Sequence, residues 1–170
     1  MRRSAVDIAA PGRDDAAGFG LLNVPAALAY AAPVRDPLEP NDDIEFVRPG
    51  GLYDNSIPAL TSPRRRSATV EARIDRVEDP RDVYRVWLPR DGRIAVTLTA
   101  DTNLDVGLWK KGTISVLGRI VGSDRLARGI APGSIDQLTL ANNGRGRFAY
   151  LAVYPPRGVN QATYTLRVSS

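Results

Sequence analysis

The chain has 170 residues, 43% of them hydrophobic and 25% charged, and its 23 basic and 19 acidic side chains give a net charge of +4. This is enough for one full core plus an appendage and too apolar for general disorder, and no apolar run reaches the roughly 18 residues that a membrane span requires. Cysteine and histidine are both absent, which excludes disulfides, thiolate metal sites, histidine bases and any Ser-His-Asp triad built from this chain alone.

Residues 1–32 read as helix and loop. The opening MRRSAVDIAAPGRDD carries two arginines, but Pro11 interrupts it before an apolar region of signal length develops, so no export signal is expected in the chain as given. In NVPAALAYAA, Asn23 suits an N-cap and Pro25 falls in the first turn, where its missing N–H is harmless; the spacing predicts a helix running as far as Pro33. Leu21, Leu22, Val24, Leu28 and Tyr30 are apolar, with nothing in this short piece to bury them.

Residues 33–67 are rich in Pro, Gly and Asp and read as a linker and an irregular domain entry, with one short strand expected near Ile57 to Leu60. The linker holds the acidic stretch DPLEPNDD at 36–43.

From residue 68 the hydrophobic period becomes two. Ile94, Val96 and Leu98 share one strand face, and Ala162, Tyr164, Leu166 and Val168 share another. LDVGLW sets Leu104, Val106 and Leu108 against Asp105, Gly107 and Trp109, while RFAYLAVY is apolar on both faces, as a central strand should be. With ATVEARI, DVYRVWL, TISVLGRIV and SIDQLTL there are about eight short strands, separated by turns such as PRDG and NNGRG. This spacing predicts a mainly β domain over 68–170, an antiparallel sandwich or jelly roll, preceded by the short helical segment and the acidic linker.

The acidic stretch admits two readings. One is a proline-stiffened linker whose acids are solvated and assist turns. The other is a site for a hard cation, with Glu39, Asn41 and Asp42 supplying oxygens from one turn and Asp79 and Asp82 supplying more from a strand entry. Acid pairs such as Asp79/Asp82 or Asp101/Asp105 also match a glycosidase on paper, but no aromatic-rich cleft sequence accompanies them. SPRRRS at 62–67 lacks neighbouring aromatics, so a nucleic-acid partner is not expected. Trp109, opposite Leu108 and beside Lys110 and Lys111, is the candidate exposed ligand contact.

Two families are resembled. Gly12-Arg13-Asp14, Gly18-Phe19-Gly20 and the Asn23–Ala27 helix start are similar to the closing stretch of a subtilisin-like serine protease domain. Asp36, Glu39, Pro40, Asn41 and Asp42, then Asp79, Asp82, Val83 and Tyr84, then Asn103, Asp105, Val106 and Leu108 occur in the order seen in the bacterial pre-peptidase C-terminal domain, a β-sandwich behind secreted proteases. The resemblance implies a non-enzymatic accessory region of a secreted protease, whose catalytic Asp, His and Ser would lie upstream of Met1. It further implies calcium at Glu39, Asn41, Asp42, Asp79 and Asp82, support of folding or secretion, and anchoring to a protein or polysaccharide substrate. The alternatives are a stand-alone carbohydrate- or protein-binding module and a truncated gene product without its own function.

Overall fold

The computed structural model describes residues 4–8, 15–31, 36–52, 57–117 and 124–170. The chain divides into two compact units, Met1–Arg35 and Asp36–Ser170.

In the first unit, Val6 and Leu21 exchange two backbone hydrogen bonds of 2.9 Å each. The segments come so close that a β-carbon on Gly20 would lie 2.1 Å from the Val6 carbonyl oxygen, and Gly20 also holds φ +96°, so only glycine fits there. The helix α1 spans Val24–Ala29; Asn23 caps it by accepting from the Ala26 amide at 3.0 Å, and Pro25 sits in its first turn. It ends earlier than the expected Pro33, and the Gly12-Arg13-Asp14 motif lies outside the described residues. No α1 residue is buried, and Leu28 is 83% exposed.

The second unit is an antiparallel β-sandwich. Its strands are β1 Ser67–Asp75, β2 Asp82–Leu88, β3 Gly92–Ala100, β4 Asp105–Lys110, β5 Arg125–Gly129, β6 Ile135–Asn142, β7 Arg147–Tyr154 and β8 Gln161–Ser169. One four-stranded sheet has the order β1-β8-β3-β6 and the other β2-β7-β4-β5. The alternating side chains meet between the sheets: Ile94, Val96, Leu98, Leu166 and Val168 from one face Val86, Leu88, Val106, Leu108 and Leu151 from the other, all buried. Two strand expectations need correcting. The strand between β4 and β6 is β5, Arg125–Gly129, whereas Thr113 to Leu117, expected to begin a strand, are irregular and residues 118–121 lie outside the description. No strand forms at 57–60.

Residues 36–52 and 57–66, expected to be linker and domain entry, fold as part of the sandwich unit. A one-turn helix, α2, Ile44–Val47, is capped by Asp43, whose Oδ1 accepts from the Ile44 amide at 2.8 Å. Ile44, Val47 and Ile57 bury themselves on the outer face of the second sheet, against Val83, Trp109, Tyr150 and Ala152. The same stretch closes the open edge of β2: Val83 N–H donates to Asn41 O (2.8 Å), Leu60 N–H to Arg85 O (2.7 Å) and Trp87 N–H to Thr61 Oγ1 (2.8 Å). A second hydrophobic layer therefore replaces the solvated linker. Ile44→Ala should cost about 2–5 kcal/mol in urea unfolding, as a buried large-to-small change does, whereas a solvated linker position would lose less than about 0.5.

Candidate functional site

The acids of the two sequence clusters converge. Asp36, Glu39, Asp79 and Asp82 each bring a carboxylate oxygen to a point where all four atoms lie within 4.8 Å of one another. Each arrives by a local rule. Asp36 Oδ2 accepts from the Arg73 amide of β1 at 2.7 Å, which fixes the first turn of the acidic stretch. Asp79 closes a tight turn after β1: its N–H and C=O pair with Asp75 at 2.8 Å each, and Asp75 Oδ1 accepts from the Val77 amide at 2.9 Å, the turn chemistry that short acidic side chains favour. Asp82 opens β2 on its inward face, opposite Val153, and is fully buried.

Behind the acids lies a polar chain in the sandwich interior. Tyr164 of β8 donates from its hydroxyl to Asp82 Oδ2, and the Tyr84 and Tyr164 hydroxyls are 2.6 Å apart. Asn41 is also fully buried; with its amide nitrogen turned toward the acids it donates to Asp82 Oδ1 (3.0 Å) and Glu39 Oε1 (2.6 Å). Asp42 stands close enough that its charge acts on Asp79. Arg81, between the two β-entry acids in sequence, faces away: its guanidinium carbon lies 5.2 Å from the Tyr154 ring centroid and it donates to Val116 O.

The sequence groups Glu39, Asn41, Asp42, Asp79 and Asp82; the carboxylates that meet within 4.8 Å are those of Glu39, Asp79 and Asp82 with Asp36, which that grouping leaves out. Its signal was present in the spacing: Asp36 begins the same turn as Glu39, and Glu39 N–H donates to Asp36 O at 3.3 Å. Trp109 needs correction. It is 1% exposed, with its ring lying over Gly107 and edge-on to Tyr154 at 6.3 Å, beneath the layer that α2 and Ile57 supply. Alternation put it on the outer face correctly; the covering layer, which has no sequence period, removes it from solvent. Arg65 and Arg66 of the basic loop donate to the carbonyls of Ala59 and Pro63.

The electrostatics are one-sided. Burial, then the charges of Glu39, Asp42 and Asp36, push Asp79 up to about 8, with Arg73 opposing. Burial and the Asp79 charge raise Asp82 well above its ordinary value. Burial raises Asp36 too, against the Arg73 amide and charge. Asp79 Oδ1 is buried without a hydrogen-bond partner among the described residues. A carboxylate-lined pocket with a buried acceptor left without a partner among the described residues calls for positive charge, supplied either by protons on the carboxyls or by a hard cation.

No family model matches the chain, and no curated protein matches it either. Among solved structures it is similar to the pre-peptidase C-terminal domain of a collagenase from Bacillus anthracis, at 16% identity and a TM-score of 0.44, over 61% of this chain and 87% of that one. It is also similar to Aeromonas hydrophila PliG, a periplasmic inhibitor of g-type lysozyme, at 18% identity and a TM-score of 0.39, over 61% of this chain and 85% of that one. At such values neither likeness speaks to function. No described helix is long and apolar enough to cross a membrane.

The carboxyl values give stability a definite pH dependence. A carboxyl whose native pKa is raised favours the folded state while protonated; that contribution is complete below the unfolded pKa near 4 and is lost as pH climbs through the native value. Cation-free protein should therefore lose melting temperature between about pH 4 and the Asp79 value of about 8. Asp79→Asn should flatten that decline and melt higher than the parent at the alkaline end, as followed by circular dichroism.

Proposed function

We propose that residues 36–170 form a non-catalytic accessory β-sandwich of the pre-peptidase C-terminal kind, stabilised by calcium and carried behind a subtilisin-like serine protease domain in a secreted enzyme. The observation that carries this reading is the convergence of four carboxylate oxygens within 4.8 Å, beside which Asp79 has a buried Oδ1 with no hydrogen-bond partner among the described residues. Calcium takes six to eight oxygens from carboxylates, amides and water, and the donors here are of that chemistry. Asp36, Glu39, Asp79 and Asp82 would hold the ion, with Asp42 adjacent. Asn41 would turn its amide oxygen inward as a further ligand, leaving its nitrogen for the tyrosine side. A bound ion would supply the positive charge that the pocket lacks. Tyr164 and Arg73 do the protein's share, the first orienting Asp82 and the second fixing Asp36 through its amide.

The opening stretch supports the protease assignment by its Gly18-Phe19-Gly20 pattern, its glycine-only backbone at Gly20 and its Asn23-capped helix. In such an enzyme the sandwich supports folding or export of the catalytic domain, or holds it to a protein or polysaccharide substrate. A stand-alone ligand-binding module has less behind it, because Trp109, the aromatic contact it relied on, is buried.

Two measurements test the reading. Free calcium at about 100 times its dissociation constant should add about 2.7 kcal/mol, raising the melting temperature by several degrees over a chelator control, and Asp79→Asn should abolish the rise. No shift at millimolar calcium would end the ion assignment. Sequencing the DNA upstream of Met1 should reveal an in-frame Gly-Thr-Ser nucleophile segment; a stop codon in that frame would end the protease assignment and leave the ion result standing.

A further inference from the structure

Where β6 passes into the turn before β7 stand two consecutive asparagines, Asn142 at the strand end and Asn143 in the turn, with opposite surroundings. Asn142 is buried, and its Nδ2 donates to Pro89 O (2.6 Å), Arg145 O (3.1 Å) and Gly144 O (3.3 Å). Asn143 is exposed, and its side chain makes no hydrogen bond among the described residues. The residue after it is Gly144, also exposed, around which a β-carbon would meet nothing within 4 Å. Gly144 is engaged through its carbonyl, which accepts from the Asp91 amide at 3.2 Å; its own N–H donates to no group among the described residues.

We propose that Asn143 is a site of spontaneous deamidation, converted to aspartate and isoaspartate through a cyclic imide with Gly144. The Gly144 nitrogen loses its proton to solvent base and attacks Asn143 Cγ. The new C–N bond closes a five-membered succinimide, and the side-chain nitrogen leaves as ammonia with a proton from water. One water then adds to either imide carbonyl. Opening on one side gives aspartate; opening on the other gives isoaspartate, with the main chain routed through the former side-chain methylene. No oxidant or enzyme is required. Two features of the turn favour the reaction: a following residue without a β-carbon to obstruct the attack, and an attacking N–H and an electrophilic amide that are both uncommitted. Asn142 has neither advantage, since its amide is held by three carbonyls and Asn143 follows it.

The consequence falls on a contact between two turns. Asn142 and Gly144 hold the β2–β3 turn through Pro89 O and the Asp91 amide. Isoaspartate at 143 lengthens the backbone between these two anchors and adds a negative charge.

The test is a peptide map of the folded chain, incubated in mildly alkaline buffer, together with isoaspartyl methyltransferase labelling. A gain of one mass unit should accumulate at Asn143, with isoaspartate among the products, and Asn142 should stay unchanged. Gly144→Ala, which the open space accommodates, should slow conversion many-fold while leaving the melting temperature in place. Asn143→Gln should remove the labelling. The proposal is overturned if Asn143 stays intact while Asn103 or Asn160 converts, or if Gly144→Ala leaves the rate unchanged.

Discussion

Mutual repulsion among Asp36, Glu39, Asp79 and Asp82 is the constraint around which this domain is arranged. Burial does most to raise the proton affinity of Asp79 and Asp82, and the neighbouring carboxylates, within 4.8 Å, raise it further. They stay together because backbone geometry leaves them no retreat. Asp36 is pinned to the β1 amide of Arg73, Asp79 is enclosed in a turn paired with Asp75, and Asp82 stands at the start of a strand already committed to the sheet. The charge of Arg73, whose guanidinium pairs with the neighbouring Asp75 at 3.1 Å, opposes part of the rise at Asp79 and Asp36.

The site also joins parts of the fold that share no hydrogen-bonded ladder. Asp82 and Tyr84 belong to β2 in one sheet, and Tyr164 belongs to β8 in the other. Their hydroxyl-to-carboxylate chain crosses an otherwise apolar interior, where an unmade hydrogen bond would be expensive. Asn41 links the same chain to the segment that seals the β2 edge, since its carbonyl accepts from Val83 while its side chain meets Asp82 and Glu39. Acidic pocket, sheet edge and sheet-to-sheet contact are therefore one mechanical unit.

What the sequence disclosed followed from periodicity. Strands with strict alternation, such as those carrying Ile94, Val96 and Leu98 or Tyr164, Leu166 and Val168, lie where a period of two puts them, with the expected faces inward. Segments without a period misled. Residues 113–121 alternate well enough to look like a strand, yet Val116 is a single plug under the covering layer, with its amide held by Asp43 Oδ1 at 2.8 Å. The true strand, Arg125–Gly129, has two arginines and no alternation to announce it. Ile44, Val47 and Ile57 are too scattered among Pro, Gly and Asp to suggest burial, and from that one omission followed both the linker reading and the exposed Trp109. The meeting of the two acidic stretches was partly legible because turn chemistry is local: acids beside prolines mark the turns, although which acids meet depends on strand pairing that spacing does not encode.

Absence of cysteine gives the acidic cluster a further significance. A disulfide closing a loop of roughly 40 residues stabilises by about 4 kcal/mol, largely by restricting the unfolded chain, and does so wherever the protein is. On our reading of the site, an ion joining residues 36–42 to 79–82 fastens a loop of similar length, but by binding only the native state. Its contribution rises with the logarithm of free cation and vanishes when the cation is scarce. Without the ion the same carboxylates work against the fold, increasingly so as pH approaches the Asp79 value of about 8. On that proposal the module is loosest where calcium is low and tightens where calcium is plentiful, so the surroundings, rather than a covalent bond, would set when it becomes rigid.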